Sequence, residues 1–516
     1  MAGRRKILFV TVDQQRYDAL GCNGGSIART PVIDGLAATG ITYDRAQPAN
    51  VVCMPSRATM ITGQHVHTHD VWMNGVPLPP DARSVAAVLS DAGYATALSG
   101  KAHFEPVIDP FARFGEARMG RSGETGPYRG FDRMELATHS AKGTSHYAAW
   151  MRAKHAAHAD DLFPVLDVAT MEVSSATGGD TGAPQVGPNP MPRDLYHTDW
   201  VADRAIGWLG TLAGDADWFC WISFPDPTTR GTRRPPNATG STGATSTSPP
   251  AIRARRPSAR RYSMRSLVTG VRGTTATSCR TDEAPADWAP ASLAADQVRE
   301  INAMVHVKNE LIDEALGRIL AAVDARGWAD DTDIIYTSDH GELQGDFGLL
   351  FKGPYHVDAL LRLPLVWRPA PRHSAAPPTR VAEPVGLVNL APTFCSIAGP
   401  DVPEWMEGRP LPTDAADARQ QRRERSITVW DSRHPLGARV HLRTIVRDGW
   451  LATAYLPGSH HDGSEGELYD LGDDPLQHAN RWDDPACQAQ RGDLLDDLFT
   501  NLPTWSEPHR PAAAPV

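Results

Sequence analysis

The sequence predicts an α/β fold: a mostly parallel central sheet covered by helices on both faces, followed by a small α+β C-terminal subdomain. Three observations carry this. The apolar, β-branched run Ile7–Val12 ends in a carboxylate, Asp13, as strands buried on both faces of an α/β sheet do. Strand patterns of this kind alternate with helical ones over roughly 400 residues. Beyond the polar stretch Asp414–Glu424 the pattern changes to period-two alternation. The expected division is a large domain over residues 1–420 and a small one over 421–516.

The elements follow in order. Pro31–Thr39 is a helix stopped by Gly40, and Ser84–Asp91 one stopped by Gly93. Trp218–Ser223 is a second buried strand. A long amphipathic helix covers 294–326, with Ile301, Val305, Leu311, Ala315, Leu316 and Ile319 on its apolar side. Asp333–Ser338 is a strand leading into Asp339 and His340, Leu363–Trp367 another strand, and Asn389–Ala398 a helix ended by Gly399. In the C-terminal part Ser426–Trp430, Val440–Val446 and Trp450–Tyr455 alternate like antiparallel strands, and Ala486–Leu498 is helical.

Composition narrows the function. With 41% hydrophobic and 22% charged residues, the 516-residue chain can bury a sizeable core. A net charge of −10 argues against a nucleic-acid partner. No apolar run approaches the roughly 20 residues of a membrane span, so no membrane partner is expected. The basic start Arg4-Arg5-Lys6 runs straight into Ile7–Val12, too short for a signal-peptide core. Six scattered cysteines with no Cys-x-x-Cys pair make no disulfide framework. The expectation is a cytoplasmic protein, and nothing in the sequence speaks to its oligomeric state.

The chemistry concentrates in a few motifs. Cys53-Met54-Pro55-Ser56-Arg57, continued by Met60-Ile61-Thr62-Gly63, resembles the recognition signature of type I sulfatases. The segment Gly93–His103, with its Gly-Lys-x-His core at Gly100–His103, resembles their second signature. Asp13-Gln14, Ser338-Asp339-His340-Gly341-Glu342 and Phe351-Lys352-Gly353 match further segments in the expected order, and Gly466–Leu471 is similar to a C-terminal one. Phosphonate monoester or phosphodiester hydrolases share Asp-Gln, the Cys motif and Asp-His, so that activity is an alternative expectation, against which Lys101 and His103 favour the sulfatase.

This resemblance implies an alkaline-phosphatase-like fold and hydrolysis of a small-molecule sulfate ester. It implies that Cys53 is oxidised to formylglycine by a maturation enzyme and serves as nucleophile. It also implies one divalent cation held by Asp13, Gln14, Asp339 and His340, with the group at Cys53 as a further ligand. Mostly oxygen donors favour Ca²⁺, while the imidazole and amide leave Mn²⁺ or Mg²⁺ open. Arg57 is expected to orient the nucleophile, Lys101 and Lys352 to hold the sulfuryl group, and His103 to take a proton. Asn74 is expected either to contact the same oxygens or to cap a turn before Gly75. Only six of 51 basic residues are Lys, so two in matching motifs are poorly explained as solvated surface. His65, His67 and His69 are expected to form a polar face after the Cys53 helix, and Glu342 to support a ligand rather than be one.

One segment breaks the pattern. Thr228–Thr281 has no Asp, Glu or Lys but 11 Arg, 12 Thr and 7 Ser, where about six acids would be expected. Family members commonly read Phe-Pro-Asp-Pro-His-His-Pro-Trp-Asp-Pro-Pro where this chain has Phe224-Pro225-Asp226-Pro227 and then Thr228-Thr229-Arg230-Gly231-Thr232-Arg233-Arg234. The missing His is the expected proton donor to the leaving group. GC-rich codons for His-His-Pro-Trp-Asp-Pro-Pro, read one base late, encode Thr-Thr-Arg-Gly-Thr-Arg-Arg. Residues 228–285 are therefore expected to be frame-shifted or a poorly ordered insertion. A catalytically impaired, binding-only protein is the corresponding alternative function.

Overall fold

The computed structural model describes residues 5–107, 109, 111–139, 143–159, 166–167, 172–173, 180–183, 186, 191–227, 294–374, 378–422, 424–433, 439–459, 461–502 and 510–513. The expectation for residues 228–285 lies outside them.

An eight-stranded sheet organises the large part of the chain. Its strands are β1 (Lys6–Asp13), β2 (Ile41–Tyr43), β3 (Ala95–Gly100), β4 (Arg133–Leu136), β5 (Trp218–Pro227), β6 (Thr332–Ser338), β7 (Leu365–Arg368) and β8 (Thr379–Val381). They lie in the order β8-β2-β7-β6-β1-β5-β3-β4. Only β7 runs against its neighbours. The sheet is thus mostly parallel, as its unbroken apolar runs require.

Successive residues of β1 explain why both faces must be covered. Ile7 and Phe9 belong to one buried cluster, and Leu8, Val10 and Val12 to another. Helices α2 (Cys53–Thr62), α3 (Val85–Asp91) and α6 (Leu390–Ala398) cover the first face. Helices α1 (Pro31–Thr39), α4 (His197–Thr211) and α5 (Ala295–Ala325) cover the second. The Ser84 hydroxyl caps α3 by accepting from Ala87 N, at the start the sequence suggests.

The C-terminal part forms an antiparallel meander of β9 (Arg425–Arg433), β10 (Arg439–Arg447), β11 (Trp450–Tyr455) and β12 (Gly466–Asp470). Helix α7 (Gln488–Asn501) packs Leu494 and Leu498 onto Ile445, Ala452 and Leu468. Strand β5 extends past the expected Ser223 to Pro227, because its pairing with β1 continues to Asp13 after a shift in register. Among the described residues, no helix is long and apolar enough to cross a membrane.

Candidate active site and metal centre

The carboxyl ends of the parallel strands carry the candidate residues. Val12 pairs with Ser338 across β1 and β6, so Asp13 and Asp339 emerge side by side from adjacent strands. Helix α2 brings the thiol: Cys53 is its first residue, and Asn74 Oδ1 accepts from the free Met54 N at 2.9 Å. Asn74 thus closes the first turn of this helix. Strand β3 delivers Lys101 because Gly100, at φ +113, lets the backbone close on Ser223, whose carbonyl a Cβ would strike. Lys101 N donates to that carbonyl at 2.8 Å.

The groups converge on Cys53. Its Sγ lies 3.3 Å from Asp13 Oδ1, 3.3 Å from His340 Nε2 and 3.3 Å from Lys352 Nζ. Lys352 Nζ also donates to Gln14 Oε1 at 3.1 Å, and the Gln14 amide nitrogen donates to Glu342. Glu342 therefore orients Gln14. Lys101 Nζ donates to Asp13 Oδ2 at 2.9 Å. Arg57, wholly buried, donates from Nε to Asp339 Oδ2 at 2.8 Å and from Nη1 to Lys101 O at 2.6 Å and Ser223 Oγ at 2.7 Å. Its Nη2 has no hydrogen-bond partner and lies 3.9 Å from Asp13 Oδ1. Three non-glycine residues at the site hold positive φ: Gln14 (67°), His103 (53°) and Phe351 (64°). Such strain persists where the surroundings over-determine it, typically at functional sites.

Three residues were not singled out from the sequence. His139 Nε2 stands 2.9 Å from Asp13 Oδ2 and 3.2 Å from Lys101 Nζ. Ser223 supports Arg57, and Glu116 accepts from His103 N at 3.2 Å. His139 lies just past β4, among the strand ends that carry ligand-binding groups in parallel sheets. Of the three early histidines, His69 is buried against Thr59 Oγ1 at 3.0 Å rather than lying on a polar face, and His67 approaches Glu407 at 3.6 Å.

Asp13, Cys53, Asp339 and His340 offer ligand atoms all within 4.8 Å of one another, a possible buried metal-binding group. The donor chemistry fits a divalent cation. Two carboxylates supply hard oxygens, and His340 Nδ1 lies 2.9 Å from Gly341 O, which in the Nδ1–H tautomer leaves the Nε2 lone pair facing the site. The orphaned Nη2 of Arg57 leaves a donor for an oxygen there.

Electrostatics separates the two carboxyls. Burial works to raise the pKa of Asp13, but Lys101, His139 and Lys352 overcome it and hold it well below the usual range. Asp339 is pushed up to about 6 by burial and by the Asp13 charge. Burial and Asp13 oppose ionisation of Cys53, yet Lys101, Lys352 and His340 bring its thiol down to about 7. In unconverted, metal-free protein, ultraviolet absorbance should therefore show this thiolate forming near pH 7. Removing a cation must raise that midpoint, so Lys352→Ala should shift it upward; an unmoved midpoint would detach Lys352 from the thiol.

Comparisons with known proteins give the family and the fold. The family described as Sulfatase matches residues 5–400. The uncharacterized sulfatase YidJ of Escherichia coli (strain K12) is 24% identical over 515 residues, covering 98% of this chain and 89% of that protein. The multifunctional alkaline phosphatase superfamily protein PehA of Trinickia caryophylli is 26% identical over 423 residues, covering 79% and 76%. The crystal structure of the phosphonate monoester hydrolase of Agrobacterium radiobacter superposes with a TM-score of 0.69 at 22% identity, covering 96% of this chain and 95% of that one. That last likeness is one of fold, which is alkaline-phosphatase-like. With the family match spanning most of the chain and the matched motifs meeting at one group of strand ends, the chain belongs to the sulfatase family.

Proposed function

We propose that the protein hydrolyses a small-molecule sulfate ester to an alcohol and inorganic sulfate, with Cys53 converted to formylglycine and one divalent cation at Asp13, Gln14, Asp339 and His340. The observation that carries this reading is the position of Cys53 Sγ, within 3.3 Å of a carboxylate, an imidazole and an ammonium group. Formylglycine, once hydrated, supplies paired hydroxyls for attack on sulfur and for release of sulfate, and the cation supplies positive charge beside them. Ca²⁺ suits the mostly oxygen donors best, with Mn²⁺ or Mg²⁺ as alternatives. The chain's own residues do the rest. Lys101 and Lys352 neutralise sulfuryl oxygens, and the free Nη2 of Arg57 orients the nucleophile. His103, whose pKa burial and Lys101 push well below the usual range, is neutral and able to accept a proton. Asn74 holds the helix turn that presents residue 53, with its substrate contact as a further role. The recognition pentad is buried in the folded protein, so the maturation enzyme would meet it before α2 packs. The free thiols of Cys22, Cys53, Cys220, Cys395 and Cys487 suit a cytoplasmic setting.

The second reading is hydrolysis of a phosphonate monoester or phosphodiester, since such hydrolases share Asp13-Gln14, the Cys53 motif and Asp339-His340. Protein co-expressed with a maturation enzyme should turn over 4-nitrophenyl sulfate in preference to an aryl phosphonate monoester. The reverse preference would select the second reading. Turnover of neither would favour the binding-only protein suggested by Thr228.

A further inference from the structure

The loop after Lys101 is held from behind by a buried carboxyl group. His103 sits at φ +53, and its Nδ1 is buried without a hydrogen-bond partner. No side chain fixes the ring through that nitrogen, so its aim depends on the backbone that carries it. That backbone is held at two successive amides by one carboxyl group. Glu116 accepts from His103 N at 3.2 Å through Oε2 and from Phe104 N at 2.9 Å through Oε1. Consecutive N–H groups turned to one acceptor form a concavity suited to an anion or carboxyl group.

Glu116 is itself anchored from behind. Its own N–H donates to Glu105 Oε2 at 2.8 Å. Glu105 Oε1 accepts from Tyr128 Oη at 2.7 Å and Arg129 Nη2 at 3.1 Å. Arg129 in turn donates to Pro79 O and Leu78 O, at 2.6 and 2.7 Å. A cavity of about 40 Å³ is lined by Lys101, His103 and Glu116 together, on the side of Thr138 and Ser145. The carboxyl group therefore stands directly behind the proton-accepting loop, braced by a chain of buried polar groups.

We infer that Glu116 is a positioning residue, whose carboxyl group clamps the His103 and Phe104 amides and so aims the His103 imidazole at the reacting group. This rests on the proposed role of His103. Two backbone donors and two acceptor oxygens match one to one, and a left-handed conformation at a residue with a side chain needs such over-determination. Glu116→Gln keeps the shape of the side chain and removes one acceptor, because a carboxamide has one acceptor oxygen for two amides.

The test compares Glu116→Gln, His103→Ala and the double variant in the full-length, converted protein at pH 7. Glu116→Gln should lower kcat for 4-nitrophenyl sulfate about 10- to 100-fold, part of the 10²–10⁴-fold typical of a general base, with KM within about twofold. In the His103→Ala background the same change should cost nothing further. Hydrogen exchange at the His103 and Phe104 amides should rise at least about tenfold in Glu116→Gln, while metal content stays at the wild-type level. An equal loss in both backgrounds, an unchanged kcat where His103→Ala is impaired, or unchanged exchange at the two amides overturns the inference. If His103→Ala is as active as the wild type, the role given to His103 falls instead, and amide exchange, which needs no turnover, still decides whether Glu116 is the clamp.

Discussion

Cys53→Ala is expected to reduce sulfate-ester turnover by roughly 10⁵-fold or more, the scale seen when a nucleophile is removed from a site that otherwise stays assembled. The remaining groups are held by one another rather than by the thiol. Asp13 keeps Lys101, Arg57 keeps Asp339, and Gln14 keeps Lys352. Loss of a single Sγ should therefore leave the melting temperature within a few degrees of the wild type. Steady-state assays with thermal melts of the same preparation check both halves. Turnover above about a hundredth of the wild-type rate in well-folded Cys53→Ala protein would remove residue 53 from the chemistry.

Asp339→Ala should give the largest loss of stability. Arg57 has no exposure to solvent, and Asp339 is its 2.8 Å carboxylate partner; Asp13 stands 3.9 Å away. Breaking a buried pair from one side costs about 3–5 kcal/mol, because the other charge stays behind in a medium that solvates it poorly. The variant also removes a proposed metal ligand, so metal stoichiometry should fall, and with it the stabilisation that a bound ion would give the native state.

The pH dependence is distinctive. In metal-free wild-type protein the Asp339 carboxyl holds its proton to about pH 6, whereas in the unfolded chain it loses it near 3.8. Between these values the folded state binds more protons, so this group makes stability fall as pH rises. Metal affinity should move the opposite way, climbing through about pH 6 as the ligand deprotonates, then levelling off. Melts with and without metal, across pH 4 to 8, test this directly. A stability difference independent of metal in that range would count against Asp339 as a ligand.

Much of the site was legible because parallel sheets put function where apolar runs stop. Ile7–Val10 and Ile334–Tyr336 are the apolar stretches of two such strands, and Asp13, Gln14, Asp339 and His340 just beyond those strands are among the residues that meet. The thiol, Lys101, His103 and Lys352 were legible only through motifs, since nothing in periodicity tells a Lys on a loop where its ammonium group will lie. His139 escaped for a physical reason. The strand before it, Arg-Met-Glu-Leu at 133–136, is a four-residue edge strand with an exposed Arg, too short and too polar to give a pattern. Glu116 escaped because its partners are backbone amides, which leave no trace in residue type. The first two strands of the meander run one to three residues beyond the expected Ser426–Trp430 and Val440–Val446, because Arg425 and Arg447, like Arg433 and Arg439, read as loop yet pair with each other across the ladder.

The parallel arrangement also determines when the site can come into being. Asp13 meets Cys53, Lys101, His139 and Arg57, and its neighbour Gln14 is bonded to Asp339 at 325 positions' distance and to Lys352 at 338. Almost every contact in the cluster closes a long loop, and such closures cost chain entropy before they return any energy. A partly assembled cluster would strand buried ammonium, guanidinium or carboxylate groups without their counter-charges, so the halves cannot form separately at low cost. Acquisition of a bound cation should consequently coincide with the last, rate-limiting collapse of the sheet, making metal uptake a clock for completed folding rather than an early nucleus for it.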